Sequence, residues 1–580
     1  MPSVVGKRIS GQTYYYLVES ARVEGKPRIV SQRYLGKAED IAAAMDGATV
    51  EPERTRHLAF GDLAAVWSVV ERLGVIEIID KVVGSRRSDA AASVGTYLAL
   101  AAVNRVVDPC SKLGFADWWA TTAADRWVRL PVGATDHRRF WDAMDVVSPD
   151  QLVRIERELA TRIAAVFGVD ALSGLVLDMT NFATFIDTGN TRALIAQRGK
   201  AKQKRTDLRL VGLALVVTRD GGIPIVSHTY AGNRPDVTQF TAVIDELVTR
   251  YRSFAAGVDR LTVVFDSGND SEANQDHLGE LGLHYVGSLV VSQHPDLLAV
   301  PAGRFQLVDK DRFGELTAFQ TTTEALGATR RVILTHSPTF HARQARGFDQ
   351  TLAKAGRQLT ELQARLGRGK TRREPDAVQA EVNRILRPRW LDRVLTVTLT
   401  GDQPADLRLT WNTDLQARAR LEAEVFGKRI LFTDRHDWPV ADVVAAYRAQ
   451  NDAEAGFRQL KDRHMVSFNP MYHWTDQKIR VHVFYCVLAL AVAHLMRREA
   501  EQVGLHMSVR DLLSTLASIQ ETVLFYPTAG GRPKARRILT DPDPIAARLY
   551  QLFNLDRYAP SRLGNTSRTA ENGLRPAETP

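Results

Sequence analysis

Cysteine is nearly missing from this chain: Cys110 and Cys486 are the only two in 580 residues, and no Cys-x-x-Cys pair occurs. That scarcity excludes a disulfide framework and a cysteine-ligated zinc site. It suits a reducing compartment, so a cytoplasmic location is expected. Long apolar runs are missing as well. The longest, residues 483–493, is about half of the roughly 20 residues a membrane span needs. Arg480, His482, His494 and Arg497 flank it, so it reads as a buried core helix and no membrane partner is expected. The opening Met1-Pro-Ser-Val-Val-Gly-Lys-Arg8 holds no apolar stretch of the signal-peptide kind. His464, His473 and His482 lack metal-ligand spacing. The hint of a nucleotide loop at Gly369-Lys-Thr371 has Ala364 where the first glycine belongs, and it lies between helices, so no nucleotide cofactor is expected.

What is present is ordinary globular material, 44% hydrophobic and 25% charged, in a chain too long for one core. The net charge of +9 and a pI near 9.4 favour a polyanionic partner. Residues 1–50 read as an accessory β-hairpin, from Thr13-Tyr-Tyr-Tyr-Leu-Val-Glu19 and Arg28-Ile-Val-Ser-Gln-Arg-Tyr34. Residues 51–168 are helical in pattern and read as a DNA-binding region, with Trp118, Trp119, Trp127 and Trp141 as core. Residues 169–295 run β-β-β-α-β-α-β. Residues 296–427 look inserted, with short β runs, a helical hairpin and two more strands. Residues 428–505 return to the core, 506–560 read as a helical C-terminal region, and 561–580 as a disordered tail.

Three acids stand out against this layout. Asp178 ends the run Leu175-Val-Leu-Asp178, and Asp266 ends Leu261-Thr-Val-Val-Phe-Asp266. Glu454 lies in residues 447–461, which read as one helix. Tyr447, Glu454 and Lys461 are spaced by seven, nearly two turns, and so share a face. Carboxylates at strand ends and on a helix suit a pair of Mg²⁺ ions about 3.5–4 Å apart, the arrangement that cleaves phosphodiesters. Magnesium prefers such hard oxygen donors, and Mn²⁺ is the natural substitute. Lys461 and Arg458 are placed to hold phosphate, and Tyr447 to stack on a nucleotide. A basic cluster of Arg198, Lys200, Lys202, Lys204, Arg205 and Arg209 between the first two core strands offers further phosphate contacts. Arg532, Lys534, Arg536 and Arg537 form another basic group.

With these residues in view, the chain resembles bacterial insertion-sequence transposases of the Asp-Asp-Glu class. The branch concerned carries a Tyr-x2-Arg-x3-Glu-x6-Lys signature. Here the signature falls on Tyr447, Gln450, Glu454 and Lys461, with Gln450 in place of the arginine and Arg448 or Arg458 nearby to compensate. Asp178-Met-Thr180, Phe265-Asp-Ser-Gly268, Gly427-Lys-Arg-Ile-Leu-Phe-Thr-Asp434 and His473-Trp-Thr-Asp-Gln-Lys-Ile-Arg480 add to the likeness. The resemblance implies a mixed α/β, ribonuclease H-like core interrupted by an α+β insertion. It also implies catalytic and metal-holding roles for Asp178, Asp266 and Glu454, and a double-stranded DNA substrate (element ends and target) gripped by a homodimer. Two alternatives stay open: a nuclease of the same core without strand transfer, and a DNA-binding protein that no longer cuts.

Overall fold

The computed structural model describes residues 2–23, 26–45, 51–84, 90–169, 174–187, 189–199, 207–251, 261–368, 373–527 and 534–560. Lys200, Lys202, Lys204, Arg205, Arg532, the 369–371 run and the 561–580 tail lie outside them.

A tight turn explains the first sheet. Strands β1 (Pro2–Ile9), β2 (Gln12–Val23) and β3 (Lys26–Gly36) are antiparallel in that order. Ser10 and Gly11 join the first two with φ of 49° and 82°, the double positive φ of a type I′ hairpin turn. The expected hairpin thus gains a third strand, whose Val4-Val5-Gly6 lacks the alternation that marks strands in sequence. Among described residues of this sheet only Val18 and Gly36 are buried. Helix Ala38–Met45 follows.

Strand β4 (Arg54–Ala59) opens the next region, which is otherwise helical through residue 167. Helix Pro149–Phe167 shows why: Ser148 and Gln151 close a capping box, proline occupies the first turn, and Leu152, Ile155, Leu159, Ile163 and Phe167 make one buried stripe. Of the four tryptophans, Trp118 is buried, whereas Trp141 is 40% exposed.

The central sheet begins with β5 (Leu175–Thr184), β6 (Arg209–Thr218) and β7 (Pro224–Ala231), continues through β8 (Thr262–Val264) and β9 (His284–Leu289), and takes in β10 (Gln306–Leu307), β11 (Thr317–Ala325) and β12 (Ala328–His336). The chain then leaves the sheet for helices Pro338–Gly367 and Pro375–Leu386, the separate hairpin β13 (Leu395–Thr400) and β14 (Arg408–Thr413), and helix Leu415–Val425. It returns as β15 (Lys428–Thr433). The nine strands lie in the order β10-β11-β12-β15-β9-β8-β5-β6-β7. Only β5–β8 and β8–β9 pair in parallel. The architecture is mixed α/β around a large mixed sheet, consistent with a ribonuclease H-like core.

Residues 306–336 therefore extend the sheet, and the excursion with its own core is 337–427. Phe348, Leu359, Leu362, Val378, Val382, Leu391, Leu409 and Phe426 form that core. Its two ends meet: His336 pairs with Lys428, and the Ser337 N–H donates to the Gly427 carbonyl at 2.9 Å. Alternation in β11 and β12 shows strands in the sequence but not which sheet they join.

The C-terminal stretch also departs from an all-helical reading. Helix Val509–Ala517 leads into β16 (Gln520–Tyr526) and β17 (Lys534–Leu539), and β16 lies between β17 and β4. Buried Glu521 fastens this sheet by accepting from Arg126 and Arg537. Helix Asp476–Gln502 is long and apolar enough to cross a membrane, but 94% of its apolar window is buried inside the fold. It packs on both the helical region and the sheet.

Candidate active site

Register places the two aspartates. Leu175 pairs with Val263 and Val176 with Val264 across parallel β5 and β8. Strand β8 ends at Val264, and the register continued by two residues carries Asp266, which caps the turn that follows, toward Asp178. Leu177, Met179 and Phe265 pack into the core on one face of the sheet; Val176, Phe182 and Val264 pack into the core on the other. By alternation both carboxylates project to the Val176 face.

The helix bearing Glu454 lies on that same face. Residues 447–461 form two helices, Val440–Arg448 and Gln450–Lys461, broken at Ala449, rather than the single helix expected. Ala453, Phe457 and Leu460 dock the second helix in the Val176-side core. The two helices are each clamped to the sheet, the first through Tyr447 and the second through Lys461. The Tyr447 hydroxyl donates to Ser288 Oγ on β9 at 2.9 Å, and Lys461 Nζ donates to Thr180 Oγ1 on β5 at 2.7 Å. Strand β8 runs between β9 and β5, so Glu454, midway between the clamps, is carried toward the strand that ends at Asp266. Tyr447 is only 9% exposed. It serves as a wall and an anchor, and its ring offers no open stacking face. Lys461 lies over the Phe182 ring at 5.4 Å.

Asp266 and Glu454 line one cleft of about 640 Å³ together with Ser288, Tyr447, Arg448 and Gln450. Asp266 is oriented from behind. Its Oδ1 accepts from the Gly268 N–H at 3.1 Å and from Asn269 Nδ2 at 3.2 Å. Oδ2 makes no hydrogen bond among the described residues, and neither does the Glu454 carboxylate. Asp178 Oδ1 accepts from the Met179 N–H at 2.7 Å; Asp178 is half-buried and does not line the cleft. Half-buried Asp270 is pushed up to about 7, by burial first and then by the Asp266 charge, with Arg330 opposing.

Across the cleft stand cations that the sequence reading did not assign: Arg343, Arg389, Lys428 and Arg429, beside the predicted Arg448. Arg343 lies 5.2 Å from the Phe340 ring, and Arg389 lies 4.5 Å from the Trp390 ring. Arg429 lies over Phe340 at 4.8 Å and over Tyr447 at 5.6 Å. Arg448 is held below its ordinary pKa by burial and then by the Arg429 charge. Neither of those two makes an ion pair among the described residues, so the cleft presents adjacent unneutralised guanidinium groups, which an anion relieves. Lys428 and Arg429 stand in the Gly427–Asp434 stretch already singled out. Arg343 and Arg389 come from the 337–427 excursion and carried no local signal. Gln450 lines the cleft with Nε2 buried and unpartnered. Arg458 is exposed, away from the cleft lining.

No three His, Cys, Asp or Glu side chains among the described residues gather closely enough to hold one ion together. The donors suit divalent cations in their chemistry: all are carboxylate oxygens, and Asp266 Oδ2 and Glu454 have no hydrogen-bond partner among the described residues.

Comparison with known proteins bears on this geometry. The family described as Transposase DDE domain matches residues 172–491, a span that holds Asp178, Asp266 and Glu454. No curated protein matches the chain. A solved piggyBac transposase synaptic complex with hairpin DNA aligns at 8% identity over 90% of this chain and 91% of that one, with a TM-score of 0.33, too low to support an argument.

Proposed function

The protein belongs to the Transposase DDE domain family, whose match covers more than half of the chain, and from that premise we propose that it is an insertion-sequence transposase. It cleaves the ends of its element and joins the freed strands to target DNA. The observation that supports this reading is the helix pair around Glu454, held at Ser288 through Tyr447 and at Thr180 through Lys461, over the sheet whose β5–β8 register carries Asp266 toward Asp178.

Asp178, Asp266 and Glu454 would hold Mg²⁺, with Mn²⁺ as substitute. When bound, the metal supplies charge neutralisation at the phosphate oxygens and activation of the attacking hydroxyl. The chain's own residues do the rest. Gly268 and Asn269 fix the direction in which Asp266 presents its free oxygen. Arg429 and Arg448 draw the phosphodiester into the cleft and balance its charge. Water attacks the phosphorus and the 3′-oxygen leaves as a hydroxyl; that hydroxyl then attacks a target phosphodiester and displaces its 3′-oxygen in turn. Cleavage yields 5′-phosphate and 3′-hydroxyl ends, and transfer conserves the number of phosphodiester bonds.

The Tyr447, Gln450, Glu454, Lys461 spacing supports the Tyr-x2-Arg-x3-Glu-x6-Lys branch, with Arg429 and Arg448 supplying charge that Gln450 lacks. We assign double-stranded element ends and target DNA as substrates, a homodimer as the DNA-bound form, and the bacterial cytoplasm as the place of action. The test is incubation of the full chain and Mg²⁺ with the DNA flanking its reading frame and a supercoiled plasmid. Joined plasmid products are expected. Cleavage without joining indicates a nuclease. Binding without cleavage indicates a protein that has lost its chemistry.

A further inference from the structure

The first sheet is the least buried part of the molecule, and its two faces differ. On one face Tyr14, Tyr16 and Tyr34 cluster, with centroids of Tyr16 and Tyr34 5.3 Å apart. Val18 on that face is buried to 2%. The cation there is engaged: Lys7 Nζ donates to Gln32 Oε1 at 3.0 Å and lies 5.1 Å from the Tyr16 ring.

The pairing registers define the opposite face. Arg8 pairs with Thr13, Arg33 with Leu17, Arg28 with Ala21 and Lys26 with Val23, and residues 13, 17, 21 and 23 share one parity along β2. Four cations, Arg8 on β1 and Lys26, Arg28 and Arg33 on β3, therefore project together from the two strands that flank β2. All four are exposed, and none makes an ion pair among the described residues. Glu19, paired with Pro2 and Ser31, is the one acid described on that face. Apart from Gly36, paired with Tyr15 at its edge, no described residue of the face is buried. Val4 on it is 58% exposed.

Like charges on one sheet face repel one another, and among the described residues of that face Glu19 is the one acid that offsets the four. A partner carrying dense, regular negative charge offsets the rest. We propose that the Arg8, Lys26, Arg28, Arg33 face of β1–β3 docks on the phosphate backbone of duplex DNA, separately from the cleft. Three strands span roughly 10 Å between outer backbones, so the cations form a two-dimensional array suited to a duplex surface. This inference rests on the DNA-processing function proposed above and assigns part of the binding to a sheet distant in sequence from the acids.

Fluorescence anisotropy of the full chain with a labelled duplex of the flanking DNA, across a salt series, tests it. Each lost phosphate contact lowers the slope of log K against log salt by about 0.9. R8A/K26A/R28A/R33A is expected to bind more weakly, with a slope smaller by roughly 3–4. R8K/R28K/R33K keeps the charges and is expected to keep the slope, which separates charge from misfolding. An alanine variant with the affinity and slope of the wild type overturns the docking face while leaving the transposase reading intact, since the wild type still binds and cuts. A wild-type chain that binds no duplex overturns both. Loss of self-association in the alanine variant, with DNA binding unchanged, assigns the face to a second copy and overturns the proposal.

Discussion

The central sheet and the first sheet are both antiparallel at heart, yet they use their side chains in opposite ways. Along β5, β6, β8 and β9 nearly every apolar residue is buried, and helices cover both faces. In β1–β3 almost nothing is buried. A sheet closed on both sides makes each remaining polar side chain, Asp178 among them, an exception. A sheet left open turns its whole surface into the candidate for a task. The first kind holds atoms to fractions of an ångström, as metal-assisted chemistry requires. The second recognises a large partner by distributed charge.

The contrast breaks most sharply at the carboxylates. Asp178→Ala, Asp266→Ala and Glu454→Ala are each expected to lower cleavage by ~1,000-fold or more while DNA binding stays unchanged, measured by gel assays of nicked product beside anisotropy. Wild-type cleavage in any one removes that residue from the site. Packing gives the next contrast. Phe265, fully buried between Phe240 and Phe432, is expected to lose about 3–5 kcal/mol on replacement by alanine. Val4→Ala in β1 is expected to stay within about 0.5 kcal/mol. Urea unfolding midpoints of the two variants decide this. A smaller loss is expected behind the site: Asn269→Ala frees Asp266 Oδ1 of one of its two donors and is expected to slow cleavage about 10–100-fold with DNA affinity unchanged.

Acid sharpens the comparison most gently. Burial holds His494 down at about 4, with the Arg497 charge adding to it, and holds His473 at about 3. Burial also depresses His482. Between the ordinary histidine pKa near 6.5 and about 4, the unfolded chain binds protons that these folded residues refuse. Their contribution to stability is therefore complete above about pH 6.5 and is lost as the pH falls toward 4. No histidine occurs in residues 1–45. Hydrogen exchange at pH 7 and pH 5 is expected to show protection falling in helix Asp476–Gln502 and unchanged in β1–β3; uniform loss in both contradicts it.

Much of the sheet was legible because its strands are short apolar runs ended by acids, turns or glycines. The order β-β-β-α-β-α-β followed from Leu175–Asp178, the Asp220-Gly-Gly222 turn and the Asp236 boundary. Long-range pairing was not legible. Strand β4 meets β16 across more than 460 positions, so no local pattern announces either. Periodicity placed Tyr447, Glu454 and Lys461 on a common face but ignored the break at Ala449 and the burial of Tyr447, both set by what the helix packs against. The cationic rim was hidden for the same reason: Arg343 and Arg389 belong to no motif in the sequence, and only the fold of the excursion brings them to the cleft.

That excursion leaves and re-enters the sheet at Ser337 and Gly427, one hydrogen bond apart. A segment so tethered makes little demand on its host beyond two neighbouring attachment points. Its length and contents are free to drift, or to be exchanged wholesale, while the strands beneath keep their spacing. What it brings to the cleft, chiefly Arg343 and Arg389, is thus carried on a separately packed module hung from one edge of the strands, whereas Asp178 belongs to the strands themselves.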